Sequence, residues 1–228
     1  MRRRSLVLLL ATGALAACRP RQAGTPAAAS TPRAASADDY WWFALEPDLT
    51  KGFCFTWVKG LTPQQVLDRL GGKELERVTW QQLVGSGDGE SGPSDRYFIG
   101  VARVEGWSLI VEDNGDLGVT DAIVRPLSKD TTVIALHRRA DGHGRFLLLQ
   151  DTGIQVDFDP MTYATRSGSR AAELGPMLAE AGFGAGDDPE RNTEAGFALA
   201  ERLTGVPLTP ELLRKQTYVL TSVPRSLD

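Results

Sequence analysis

The sequence predicts a single α+β domain: a mainly antiparallel sheet of about five or six strands, helices packed on one face, and a helical C-terminal third. Three observations point there. Short aromatic and β-branched runs fill the middle of the chain, capped amphipathic stretches follow late, and strands and helices do not alternate as a doubly wound fold requires. No internal repeat is visible.

The elements follow in order. Phe53, Phe55 and Trp57 alternate with Cys54 and Thr56, a strand pattern. In LTPQQVLDRLGG, Thr62 is a good N-cap, Pro63 fits the first helical position, and Gln65 has the capping-box spacing. Val66 and Leu70 share a helix face, and Gly71 can take the left-handed position after it. A second short capped piece spans Thr79 to Val84, and Gly85 to Asp95 reads as a loop. Strands at Tyr97–Val104 and Trp107–Glu112 flank a two-residue turn, Glu105-Gly106. Three more strands are expected at Thr131–Arg138, Arg145–Gln150 and Ile154–Phe158. In the last, Ile154, Val156 and Phe158 alternate with Gln155, Asp157 and Asp159, which predicts one dry and one wet face. Helices near Ala171–Ala181, Thr193–Leu203 and Pro210–Lys215 follow. Pro176 splits or restarts the first and Gly205 ends the second, before a short strand at Tyr218–Thr221.

Ahead of this body lies a different kind of segment. Arg2, Arg3 and Arg4 precede an apolar run, Leu6 to Ala17, of about twelve residues, where a bilayer span needs about twenty. A basic start, a short apolar middle and a small-residue end describe an export signal over residues 1–17. Leu15-Ala16-Ala17-Cys18 resembles a bacterial lipobox, in which Cys18 receives a diacylglyceryl group through sulfur and becomes the first residue. Ala14-Leu15-Ala16 also fits ordinary cleavage after Ala16, leaving Cys18 a free thiol; the four-residue match is the more specific. Arg3-Arg4-Ser5-Leu6-Val7 resembles a twin-arginine core, so the general and folded-export routes both stay open. One acyl chain holds a protein marginally, whereas two or three of the palmitate type on Cys18 anchor it stably at the outer face of the cell membrane. Residues 18–39, rich in Ala, Pro, Ser and Thr, read as a tether, because they carry too little apolar surface to offset ordering entropy. Some twenty such residues span ~25 Å on average. The globular domain is then expected over 40–228.

Composition narrows the partners. The full chain carries a formal charge of −4, and removing Arg2, Arg3 and Arg4 makes it three units more negative. An acidic protein without a basic cluster argues against nucleic acid. With two cysteines, Cys18 lipidated leaves Cys54 unpaired, and its apolar neighbours suggest a buried, inert thiol.

Several stretches resemble chemistry. Asp151-Thr152-Gly153 has the aspartic-protease triplet, but no second copy supplies the facing carboxylate, and a tight turn explains it better. EDNGDLG, Glu112 to Gly118, fails as a calcium loop because Leu117 and Ile123 occupy the required glycine and acid positions; an Asn-Gly turn is the better account. His137 and His143 bracket a turn without a third zinc ligand of suitable spacing. No catalytic residue, metal ligand or cofactor site is therefore assigned. Trp107, Glu112, Asp157 and Asp159 remain as surface or binding candidates, and the three acids as candidates for hydrolysis.

FTWVKGLTPQQVLDRLGG, GWSLIVEDNGDLG, LSKDTTVIALHRR, DTGIQVDFDP and ERLTGVPLTPEL, in that order, resemble a domain of unknown function from high-GC Gram-positive bacteria. The likeness runs from Tyr40 to the end, and its marks are Trp57 with Gly60-Leu61-Thr62, Trp107 five residues before Glu112, Ser128, and Asp159-Pro160. It implies no activity, cofactor or catalytic residue. That domain more usually looks cytosolic, so the lipobox is a departure. The expected function is a membrane-anchored extracytoplasmic lipoprotein that binds a protein partner or ligand; the alternative is a tethered carboxylate-dependent hydrolase.

Overall fold

The computed structural model describes residues 33–84, 95–185 and 191–225. The export signal, Cys18, most of the tether and the glycine-serine loop at 85–94 lie outside the described residues. The chain divides into two units, and the larger, Ala34–Asp228, holds all elements below. It takes in residues ahead of the expected start at Tyr40: Ala35 and Ala37 are buried.

Eight antiparallel strands form one sheet: β1 (Gly52–Lys59), β2 (Lys73–Val78), β3 (Arg96–Val104), β4 (Trp107–Asp113), β5 (Thr132–Arg139), β6 (Gly144–Gln150), β7 (Gly153–Phe158) and β8 (Tyr218–Pro224). Their order is β2-β8-β3-β4-β1-β5-β6-β7, so the last strand inserts between the second and third. Strand β2 went unpredicted because KELERV is charged and exposed along an edge, where pairing with β8 replaces any apolar pattern. The helices are α1 (Pro47–Thr50), α2 (Pro63–Leu70), α3 (Trp80–Leu83), α4 (Asp121–Leu127), α5 (Gly175–Ala181), α6 (Arg191–Thr204) and α7 (Pro210–Lys215), preceded by a 3-10 segment, Ala37–Leu45.

Turn and cap chemistry sets the boundaries. Thr62 and Gln65 exchange the two capping-box bonds at the start of α2, and Gly71, at φ 59°, ends it in the left-handed region. Glu105 adopts φ 50° in the hairpin between β3 and β4, while Asp151 and Thr152, at φ 45° and 66°, turn β6 into β7. The Asp-Thr-Gly triplet is thus a turn, with Asp151 Oδ1 accepting the Asp130 N–H at 3.1 Å. Pro176 sits in the first turn of α5, which begins at Gly175, later than expected.

The expected single covered face is wrong: both faces of the sheet are buried. On one, Phe53, Phe55 and Trp57 of β1 join Leu109, Leu136 and Phe146 beneath the 3-10 segment, α5 and α6. On the other, Val58, Ile110, Val133 and Leu147 meet Val66 and Leu70 of α2 and Ile123, Val124 and Leu127 of α4. Strands covered on both sides read as continuous apolar runs, as VIAL and FLLL do here. The alternation read into β7 also fails. Leu148 pairs with Val156 but Leu149 with Ile154, so Gln155 is an extra residue and Ile154 turns to the second face, away from Val156 and Phe158. Nor is the C-terminal third wholly helical, since β7, an irregular stretch after it and β8 share it with α5, α6 and α7.

Phe197 of α6 is the contact that seats the first layer. Its ring lies 5.4 to 5.6 Å from those of Tyr40, Phe43, Phe53 and Phe55. Phe197→Ala is therefore expected to cost about 3–5 kcal/mol of unfolding free energy, read from denaturant titration of tryptophan emission. A loss under about 1 kcal/mol would show that the layer does not depend on this ring.

Candidate functional site

Strand register places four polar side chains in one line across the second face. Cys54 of β1 pairs with Glu112 of β4 on one side and His137 of β5 on the other, and His137 pairs with Arg145 of β6. Directly paired residues project from the same face, so the row closes one end of a mainly apolar layer that also holds Thr56 and Ser108.

Glu112 anchors the row. It is 1% exposed, and its carboxylate accepts N–H bonds from Leu117 (3.1 Å) and Gly118 (3.3 Å). Asn114, at φ 55°, turns the chain back over it. Gly115 and Gly118 lack the Cβ that would collide with Glu112 Oε1 and Thr56 Oγ1 respectively. The stretch EDNGDLG thus aims backbone donors at a carboxylate, the reverse of a calcium loop, which aims oxygens at a cation. Burial pushes the Glu112 carboxyl up to about 7, against the lowering effect of its two N–H donors. Burial, and then the neighbouring Glu112 charge, also raise the Cys54 thiol well above its ordinary value. Cys54 is fully buried and 3.7 Å from Thr56 Oγ1. A buried neutral thiol of this kind is inert as a nucleophile. His137 is shifted down, chiefly by burial.

At the other end Arg145 joins three elements. Its Nε and Nη2 grip Asp157 at 2.8 and 2.7 Å, and Nη1 reaches Asp121 Oδ1 (2.6 Å) and the Val119 carbonyl (2.7 Å). This bidentate pair ties β7 to β6 and to the start of α4. Asp159 has a capping role: Oδ1 accepts from Met161 N at 2.9 Å, and Oδ2 lies 2.7 Å from His143 Nδ1. Trp107 is not a surface residue. It is 5% exposed in the first layer, and its Nε1 donates to the Thr204 carbonyl at 3.1 Å.

The four sequence candidates are thus not brought together. Trp107 lies on the opposite face from Glu112, and β1, β5 and β6 separate Glu112 from β7. Four strand spacings come to roughly 19 Å, beyond the ~5–10 Å at which paired carboxylates cooperate in hydrolysis. Among the described residues no group of three or more His, Cys, Asp or Glu side chains is arranged to hold a metal ion. A shallow groove of about 480 Å³ between α2 and the β3–β8 pair, lined by Gln64, Leu67, Arg77, Arg103 and Thr217 among others, contains none of the four. Sequence reasoning missed Arg145 as a hub. The signal was available: Arg145 shares its strand face with Leu147 and Leu149, so its charge points inward and needs a partner.

The fold is that of an antiparallel α+β domain in which Glu112, Arg145, Asp157 and Asp159 hold loops and strands in place. Residues 33–228 match the family of unknown function DUF6461, and the chain belongs to that family. No curated protein and no solved structure matches the chain.

Because Glu112 binds its proton more tightly when folded, at about 7 against 4.5, its contribution to stability is complete below pH 4.5 and is lost as pH rises through 7. The expected amplitude is on the order of 3 kcal/mol. Glu112→Gln, which keeps the shape and one acceptor, should flatten this slope between pH 4.5 and 7.5. A variant with the wild-type pH profile of unfolding would contradict the assignment.

Proposed function

We propose that the protein is an extracytoplasmic lipoprotein, held to the membrane by acyl chains on Cys18, whose DUF6461 domain acts as a binding or accessory module. The observation that carries this reading is Leu15-Ala16-Ala17-Cys18 at the end of a short apolar run behind three arginines. The binding half is supported by how the candidate acids are used: Glu112 holds a turn, Asp157 holds Arg145, and Asp159 caps the chain after β7. Among the described residues no helix is long and apolar enough to cross a membrane. Anchoring in this reading falls to the lipid.

One observation favours a carboxylate-dependent hydrolase instead, the Glu112 carboxyl raised to about 7, a value suited to proton transfer near neutral pH. The side chain's burial opposes it. A substrate would have to displace the Leu117 and Gly118 N–H groups to reach either oxygen.

In intact cells, Cys18→Ala is expected to move the protein from the membrane and detergent phases to the aqueous phase. Unchanged partitioning would remove the anchor. Crosslinking of the tethered protein is expected to recover a partner that Glu112→Gln still binds; no partner, together with an activity that Glu112→Gln abolishes, would establish the hydrolase.

A further inference from the structure

Among the described residues, four large hydrophobic side chains are exposed, and two of them, Trp41 (62%) and Leu45 (65%), belong to the nine-residue 3-10 segment. Ala37, Tyr40, Trp42 and Phe43 of that segment are buried in the first layer. The tyrosine locks it there, its hydroxyl donating to Glu201 Oε2 at 2.7 Å and accepting from Leu208 N at 3.2 Å. Trp41, Ala44 and Leu45 are left on the outer side of a firmly held support.

Three of the flanking acids pair with cations, Asp38 with Arg191, Glu46 with Arg214 and Asp48 with Lys51, and Asp39 accepts from the Ser36 N–H at 2.8 Å. The rim therefore presents no strong field of one sign. A surface made of one tryptophan, one leucine and a charge-balanced border suits the interfacial zone of a bilayer, where the amphipathic indole sits at headgroup depth. It does not suit an anionic macromolecule, which selects unpaired cations.

Position in the chain supplies the second argument. The segment begins four residues after Arg33, where the described chain starts, and Trp41 lies 23 residues after Cys18. Two side chains cannot hold a free protein on a membrane against the entropy of association. Joined to an anchored Cys18 by so short a connection, they meet the bilayer at an effective concentration of ~mM. We infer that Trp41 and Leu45 form a membrane-contact patch that seats the domain on the lipid surface beside its own anchor. This rests on the lipoprotein reading above. The contact is apolar, so it takes neutral phosphatidylcholine and is insensitive to salt.

The other four tryptophans, Trp42, Trp57, Trp80 and Trp107, are each at most 8% exposed, so contact quenching reports on Trp41. The test uses the mature protein purified from membranes and reconstituted into vesicles of phosphatidylcholine with brominated acyl chains. The Trp41 emission should be quenched at low and high salt alike and shielded from aqueous iodide. Trp41→Ser should abolish the quenching while leaving the unfolding midpoint unchanged. The inference is overturned if Trp41 stays open to iodide on vesicles although Cys18 carries lipid. It is also overturned if Trp41 becomes covered without lipid as protein concentration rises, which would assign the patch to a second copy. Mass analysis showing unmodified Cys18 would remove the anchor and the patch together, and distinguishes that failure from the other two.

Discussion

Strand β1 lies between β4 and β5 with neither edge free, and seven of its eight residues, Gly52 to Val58, are buried. A strand without a wet face must be covered from both sides, and the rest of the fold answers that requirement. On one side Phe53, Phe55 and Trp57 take an aromatic layer completed by Phe43 and Phe197. On the other side the same strand offers Cys54, Thr56 and Val58, smaller groups that leave room for a chain segment to lie close. The turn after β4 fills that room. Gly118 packs against Thr56 and Cys54, and the carboxylate of Glu112 holds the segment by its backbone N–H groups. Helix α4 begins immediately beyond, so the lid of the second layer is positioned by one buried acid.

This arrangement explains why the acids that resemble catalytic groups are occupied elsewhere. Glu112 and Arg145 sit beneath the segment Leu117–Val119 and the start of α4, and their hydrogen bonds to Leu117, Gly118, Val119 and Asp121 tie that cover to the sheet, while Asp157 holds Arg145 from β7. Burial shifts such groups as strongly as an active site does, so the raised Glu112 carboxyl follows from its structural position. In the proposed reading, recognition falls to surfaces outside the sheet. The N-terminal 3-10 segment is one of them, since its outer side chains take no part in the core.

The sequence was most informative where local chemistry decides. Thr62, Pro63, Gln65 and Gly71 specify α2 on their own, and α7 begins at Pro210 and ends at Lys215 as its cap and charges suggest. Local signals failed where long-range pairing decides. The charges of β2 make sense only beside β8, more than a hundred residues away. Helix α4 carries Pro126 inside it, a residue that reads as a breaker but is tolerated near the end of a short helix. The bulge at Gln155 defeats any two-residue periodicity, because the extra residue is visible only in the pairing with β6. Glu112 drew notice as the first position of EDNGDLG, a failed calcium loop, while its partners, two backbone N–H groups, leave no mark in side-chain chemistry.

Amide hydrogen exchange at Leu117 and Gly118 tests the structural role of Glu112 most directly. These two N–H groups open a short 3-10 helix, Leu117–Val119, where amides without a partner inside the helix ordinarily exchange by local fluctuation. Bonded to a buried carboxylate, they should exchange only when the domain unfolds, with protection matching that of the β1 amides. Exchange as rapid as in an exposed turn, with β1 still protected, would show that the carboxylate does not hold the segment and is free for other chemistry.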